Sequence, residues 1–118
     1  MKEHPIMQRV MLAVSAIGGK IFRNNVGVVE AADGRYIRFG LCKGSSDLVG
    51  WTPVKVKPED VGSPVAVFTA LEVKMPGKHM TDEQRRFVDA VRADGGIAAE
   101  IHSGEEAERI VGERMGHD

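Results

Sequence analysis

The chain has one cysteine, Cys42, in 118 residues, so it forms no intramolecular disulfide and suits a reducing compartment. No apolar run is long enough to span a bilayer. Met1 to Pro5 is polar, and no small-residue cleavage site follows an apolar stretch, so a secretory leader is not expected either. Repeats and low-complexity segments are also missing. The expectation is a cytoplasmic protein with no membrane partner. The histidines, His4, His79, His102 and His117, include no pair at i, i+4 on one helix, so a zinc site is not expected.

An excess of charge of one sign is missing too, since the formal net charge is −1. That value conceals an asymmetry. Residues 1–57 carry nine Lys or Arg (Lys2, Arg9, Lys20, Arg23, Arg35, Arg38, Lys43, Lys55, Lys57) against four acids (Glu3, Glu30, Asp33, Asp47), a balance of +5. The remainder carries seven bases and thirteen acids, a balance of −6. A phosphate-binding surface needs local positive charge, because screening ends such interactions within ~10 Å. Nucleic acid is therefore not excluded as a partner, although such asymmetry is equally common on solvated surfaces. With 42% hydrophobic and 28% charged residues, the chain is ordinary for a globular protein, and its length fits one domain.

Hydrophobic spacing organises the rest. Ile6, Met7, Val10, Met11, Val14 and Ile17 recur at helical intervals from about His4 to Ile17, with Pro5 tolerable in the first turn and Gly18-Gly19 as the stop. Lys20 to Ala31 reads as a strand, Asp33-Gly34 as a two-residue hairpin turn and Arg35 to Cys42 as the returning strand. Lys43-Gly44-Ser45-Ser46 breaks it, and Asp47 to Trp51 reads as another short strand. Thr52 to Pro64, with three prolines and Gly62, is a loop. Val65 to Lys74 is apolar on both faces until its last residues, as in a central strand covered on both sides. A helix follows from Thr81 to about Ala93, with Phe87, Val88 and Val91 inward. Gly95-Gly96 closes it, Ile97 to His102 is a last strand, and Gly104 to about Met115 is an acidic final helix. This is a mixed α/β domain.

Chemistry is indicated where polar residues interrupt apolar elements. Glu72 and Lys74 are two apart on a strand and leave the same face, with Val73 on the other. Charges at the end of a central strand are costly unless paired or ligating a metal. Asp47 starts the preceding strand after a Gly-Ser-Ser bend, where its carboxylate could converge with Glu72. Two carboxylates and the Val73 carbonyl make a hard oxygen site suited to Mg²⁺ or Mn²⁺. Lys74 would orient a nucleophile or offset developing negative charge. The plainer reading of Glu72 and Lys74 is an exposed strand-end pair worth ~0–1 kcal/mol. Gln84 projects from the apolar stripe of its helix, where an amide could hold a water or a phosphate. Thr81-Asp82-Glu83-Gln84 is equally a capping box. Glu3 falls on the apolar stripe of the first helix, which is odd for a carboxylate unless it meets a metal or a base; a frayed terminus accounts for it as well. Asn24 and Asn25 could touch phosphates or simply make a bulge.

With Asp47, Glu72-Val73-Lys74 and Gln84 in order, the chain resembles the PD-(D/E)xK nuclease superfamily. The resemblance is closest to its virus-type replication-repair nuclease domain (VRR-NUC), in the small stand-alone phage or prophage form. It runs through Ile21 to Gly27, Asp33 to Gly40, Gly44 to Trp51, Leu71 to Lys74 and Thr81 to Phe87. It implies a restriction-endonuclease-like mixed sheet flanked by helices, in the order α-β-β-β-α-β-α. It also implies metal ligation by Asp47, Glu72 and the Val73 carbonyl, with Glu3 a further candidate, matched together with Gln8 on the first helix. Lys74 becomes the catalytic lysine and Gln84 the helix-borne accessory residue. Ser46 stands where the superfamily has proline. Arg23, Asn24, Asn25, Arg38, Lys43, Ser45 and Ser46 are the candidates for contacting DNA. Domains of this type are similar to Holliday-junction resolvases, which implies a homodimer acting on branched DNA in a bacterial or phage-infected cell.

Three functional classes follow. A Mg²⁺- or Mn²⁺-dependent endodeoxyribonuclease leads. A non-catalytic DNA-binding module with a degenerate site would show steeply salt-dependent affinity without turnover. A protein-interaction module, with merely structural carboxylates, would show no DNA affinity at low salt.

Overall fold

The computed structural model describes residues 3–116, with side chains from Pro5 onward. The backbone gathers into two units, one ending at Thr52 and the other beginning at Pro53.

In the first unit the apolar stripe forms helix α1 (Glu3–Ala16), followed by β1 (Lys20–Arg23), β2 (Gly27–Glu30), β3 (Tyr36–Phe39) and β4 (Leu48–Trp51). Helix α1 packs on β1. β1 pairs antiparallel with β4, from Lys20↔Trp51 to Arg23↔Leu48, and the β2–β3 hairpin is inserted between them in sequence. Phe22 and Trp51 lie diagonally across the β1–β4 ladder with ring centroids 5.5 Å apart, a packing that pins the register.

Two expectations are corrected here. The strand read from Lys20 to Ala31 is two strands, because Asn24 turns its side chain inward and bonds to the loop before β4. The hairpin turn has three residues, Ala32-Asp33-Gly34, rather than two. The Ala31 N–H donates to the Arg35 carbonyl at 2.7 Å and the Gly34 N–H to the Ala31 carbonyl at 2.9 Å. Gly34 then takes φ +86°, the left-handed step that closes such a loop and that a side chain resists.

The second unit opens with a single 3₁₀ turn, Pro58–Asp60, and continues with β5 (Thr69–Val73), α2 (Asp82–Ala93), β6 (Ile97–Ile101) and α3 (Gly104–Arg114). β5 and β6 are parallel, in register from Thr69↔Ile97 to Val73↔Ile101. Parallel strands cannot be joined by a tight turn, and α2 supplies the crossover. It packs on both strands, while α3 packs on β6. The core is Val88 and Val91 of α2 with Ile97, Ala98, Ala99 and Ile101 of β6; Val91 is wholly buried. β6 is thus the most buried strand, with every residue but Glu100 out of water. The strand expected from Val65 to Lys74 is only five residues long, and Val65, Val67 and Val73 are exposed. Its early valines follow Pro64 and pair with no strand among the described residues.

The architecture is a mixed α/β one with three helices. The strand count and the sheet differ from expectation. Five strands precede α2, and among the described residues the strands form three two-stranded ladders, two antiparallel and one parallel. An apolar run therefore overstated β5, and the inward Asn24 divided a strand that alternation alone reads as continuous.

Gly50 faces β1 so closely that an added Cβ would overlap the Lys20 carbonyl oxygen and stand 2.8 Å from the Ile21 Cα. Gly50→Ala must open the β1–β4 ladder. It should lower stability by about 1–3 kcal/mol, read as a lower urea midpoint with an unchanged slope; an unaltered midpoint would refute the packing described.

Candidate active site

The end of β5 presents Glu72 and Lys74 half-buried on one face and Val73, 70% exposed, on the other. This follows from strand alternation. Glu72 lines an open cleft of about 420 Å³ with Ala70 and Leu71 of β5 and Glu83, Gln84, Phe87 and Val88 of α2. Glu72 and Gln84, twelve positions apart in sequence, are thereby brought to one cavity. No ion pair joins Glu72 to Lys74, so the simple strand-end pair does not describe them.

Gln84 also caps its helix. Its backbone N–H donates to Thr81 Oγ1 at 3.2 Å, and its side-chain carbonyl accepts the Thr81 N–H at 3.0 Å. The capping box and the cleft position are compatible, because the cap uses only the carbonyl end of the amide. The NH₂ end remains available to donate.

Asp47 belongs to the first unit, where it is exposed at the start of β4. Its position is set by Asn24, which is 8% exposed and bonded at both ends of its amide. The Asn24 Nδ2 donates to Ser45 Oγ at 2.8 Å and to the Ser46 carbonyl at 2.9 Å, while Oδ1 accepts the Leu41 N–H at 3.0 Å. The Asn24 N–H donates to the Asp47 carbonyl at 2.8 Å. Ser45 is equally engaged, its hydroxyl donating to the Cys42 carbonyl at 2.7 Å. Asn24 and Ser45 therefore shape the bend that carries Asp47. Arg23, Asn25, Arg38, Lys43 and Ser46 are exposed. Glu3 lies in the first turn of α1, and its side chain falls outside the described residues.

A second grouping was not legible in the spacing. His79, Glu100 and His102 converge, although the histidines had shown no ligand pattern. Glu100 Oε2 lies 2.9 Å from His79 Nδ1 and 3.1 Å from His102 Nε2, and Glu100 Oε1 accepts the Met80 N–H at 2.6 Å. The His79 ring, then the Met80 amide, hold the Glu100 carboxyl below its ordinary range. The Lys78 carbonyl, 3.2 Å from His102 Nε2, with Glu106 and Glu100, raises His102 above its own. The one signal in the sequence was Glu100-x-His102, two positions apart and so on one face of β6.

The sequence matches the VRR-NUC domain family over residues 25–105, a stretch that holds Asp47, Glu72, Lys74 and Gln84 and crosses the division at Thr52 and Pro53. The chain belongs to the VRR-NUC family. Membership makes it a nuclease, a hydrolase acting on DNA, of a kind that generally uses divalent metal ions. No curated protein and no solved structure gives a significant match to the VRR-NUC chain. No helix among the described residues is long and apolar enough to cross a membrane.

The bend before Asp47 tests the role of Asn24. Asn24→Leu leaves the Leu41 N–H and the Ser46 carbonyl without the Asn24 amide and should cost about 2–4 kcal/mol in chemical denaturation. Asn25→Ala, at the exposed neighbour, should change stability by less than about 0.5 kcal/mol. Equal effects at the two positions would remove the organising role given to Asn24.

Proposed function

We propose that this VRR-NUC protein is a Mg²⁺- or Mn²⁺-dependent endodeoxyribonuclease that works as one nuclease domain on branched DNA such as Holliday junctions. The observation that carries the reading is the cleft in which Glu72 and Gln84 stand together, with Lys74 leaving the same face of β5. The family match across both units supports a single working domain.

Asp47 and Glu72, with the Val73 carbonyl, are the metal ligands in this reading, and Glu3 is a further candidate. Carboxylate and carbonyl oxygens are the hard donors that Mg²⁺ and Mn²⁺ take. A half-buried Glu72 without an ion-pair partner among the described residues fits that role. When bound, the ion supplies an acidified water and offsets phosphate charge. Lys74 places its ammonium against the negative charge that develops on the scissile phosphate. Gln84, held by its carbonyl in the cap, donates from its NH₂ end to the attacking water or a phosphate oxygen. Arg23, Asn25, Arg38, Lys43 and Ser46 contact the DNA backbone, and Asn24 and Ser45 hold the bend beneath them. The cytoplasm of a bacterial or phage-infected cell is the setting for such a substrate.

A homodimer completes the reading. Val29 and Ile37, cross-strand partners on one face of the β2–β3 hairpin, are exposed and apolar, a surface that a second copy would cover. Two sites related by a two-fold axis match a two-fold junction. Light scattering at micromolar concentration should give twice the chain mass, and a stable monomer would remove the resolvase-like version.

Cleavage of labelled four-way junctions and linear duplex, with and without Mn²⁺, tests the chemistry. Lys74→Ala should slow cleavage by roughly 100-fold or more, and chelation should abolish it. Gln84→Glu keeps the capping oxygen but loses the NH₂ donor, so it should keep helix stability within about 0.5 kcal/mol and still slow cleavage. Metal-independent cutting, or full activity in Lys74→Ala, overturns the assignment.

A further inference from the structure

We propose that His79, Glu100 and His102 form a second metal site, distinct from the nuclease centre, that takes Zn²⁺ or a similar late first-row divalent ion. His79 Nδ1 and His102 Nε2 both meet Glu100 Oε2, and a ligand atom from each of the three residues lies within 4.8 Å of the others. Around a tetrahedral Zn²⁺, with ligand bonds of about 2.0–2.1 Å, neighbouring donors stand ~3.3 Å apart. The two contacts made by Glu100 Oε2, at 2.9 and 3.1 Å, are already near that spacing.

The surroundings are those of a ligand set. Glu106 Oε1 lies 3.4 Å from His102 Nδ1 and is itself fixed by the His102 backbone N–H at 3.2 Å. A carboxylate on the far ring nitrogen holds the tautomer whose Nε2 lone pair points inward, as the outer shell of a metal-bound histidine does. That nitrogen faces two further acceptors, Glu100 Oε2 at 3.1 Å and the Lys78 carbonyl at 3.2 Å. A ring proton serves them without metal, and a divalent ion would displace that proton and draw on the same donors. The Met80 N–H fixes the other carboxylate oxygen, leaving Oε2 to ligate.

Two imidazole nitrogens and one carboxylate oxygen favour Zn²⁺, Co²⁺ or Ni²⁺ over Mg²⁺. The fourth position is left to water, and the Lys78 carbonyl stands beside it. His79 comes from the loop between β5 and α2, and Glu100 and His102 from β6 and its exit into α3. The ion would staple that loop to the end of β6. The site is independent of the nuclease reading, since it uses none of Asp47, Glu72, Lys74 or Gln84.

Untagged full-length protein, stripped with chelator and titrated with Co²⁺, tests this by the visible absorption of tetrahedral cobalt. Wild type should develop the bands at one equivalent and lose them to Zn²⁺ but not to excess Mg²⁺, and Zn²⁺ should raise the thermal midpoint. His79→Gln, at a side chain 69% exposed, should abolish the bands without unfolding the protein. His102→Gln should do the same, Glu106→Gln should weaken binding by about 10–100-fold, and Glu72→Gln should leave the spectrum intact. The proposal is overturned if the wild type gives no tetrahedral spectrum, if the bands survive His79→Gln and His102→Gln, or if they disappear in Glu72→Gln.

Discussion

Every candidate site position in the second unit depends on the parallel pairing of β5 with β6. The pairing cannot close on itself, so α2 must run back between the strands, and it does so by burying Val88 and Val91 against β6. Burial of a valine side chain contributes roughly 1.5–3 kcal/mol, and Val91 is entirely out of water. That helix is fixed at its start by the Thr81–Gln84 cap and tied near its end by Arg92, whose Nε donates to the Ala98 carbonyl at 2.7 Å. The register that results sets Glu72 beside Glu100 and Val73 beside Ile101. A slip of one residue would turn Glu72 and Lys74 to the opposite face and take the strand's carboxylate out of the cleft. The chemistry at the strand ends is thus a consequence of how α2 packs.

The parts of this arrangement that the sequence disclosed are those governed by local rules. Helix α2 was legible because Thr81 and Gln84 form a cap, and because Phe87, Val88 and Val91 recur on one stripe; of these, Val88 and Val91 are buried while Phe87 stays at the rim of the cleft. The face shared by Glu72 and Lys74 followed from alternation alone. What was not legible required knowing which strand lay next to which. Val65 to Lys74 looked like the central strand because it is apolar, yet the most buried strand is β6, whose run is shorter and includes two alanines. The His79–Glu100–His102 grouping escaped notice for the same reason. His79 lies more than twenty residues from Glu100 and His102, and only the β5–α2 loop and the end of β6 bring them together.

In the first unit a buried amide plays the part that α2 plays in the second. Asn24 and Asn25 are chemically identical, and spacing could not distinguish a phosphate contact from a bulge. Burial distinguishes them. Asn24 satisfies both ends of its amide across seventeen or more positions of chain, at Leu41, Ser45 and Ser46. A buried amide with its partners in place is tolerated, whereas one without them is costly, so the Gly-Ser-Ser bend and the interruption of β1 are one feature. Asp47 sits next to Ser46 and inherits its position from that network.

Electrostatics gives the residue choices at the strand ends their reason. Carboxylates in register on neighbouring strands repel, and a pair such as Glu72 and Glu100 is destabilising unless each finds a compensating partner. Glu100 has found several: two imidazoles and the Met80 amide. Glu72 has no ion-pair partner among the described residues, and Lys74, on the same face, does not supply one. Stability alone would favour a neutral residue at position 72, so the acid there is better explained by what it can bind. The two carboxylates also differ in their company. Around Glu72 the candidate donors are all oxygen, and around Glu100 they are mostly imidazole nitrogen. Hard and borderline cations sort between such sets by donor type rather than by affinity alone, so neighbouring positions on one ladder, if both bind metal as proposed, would favour different ions.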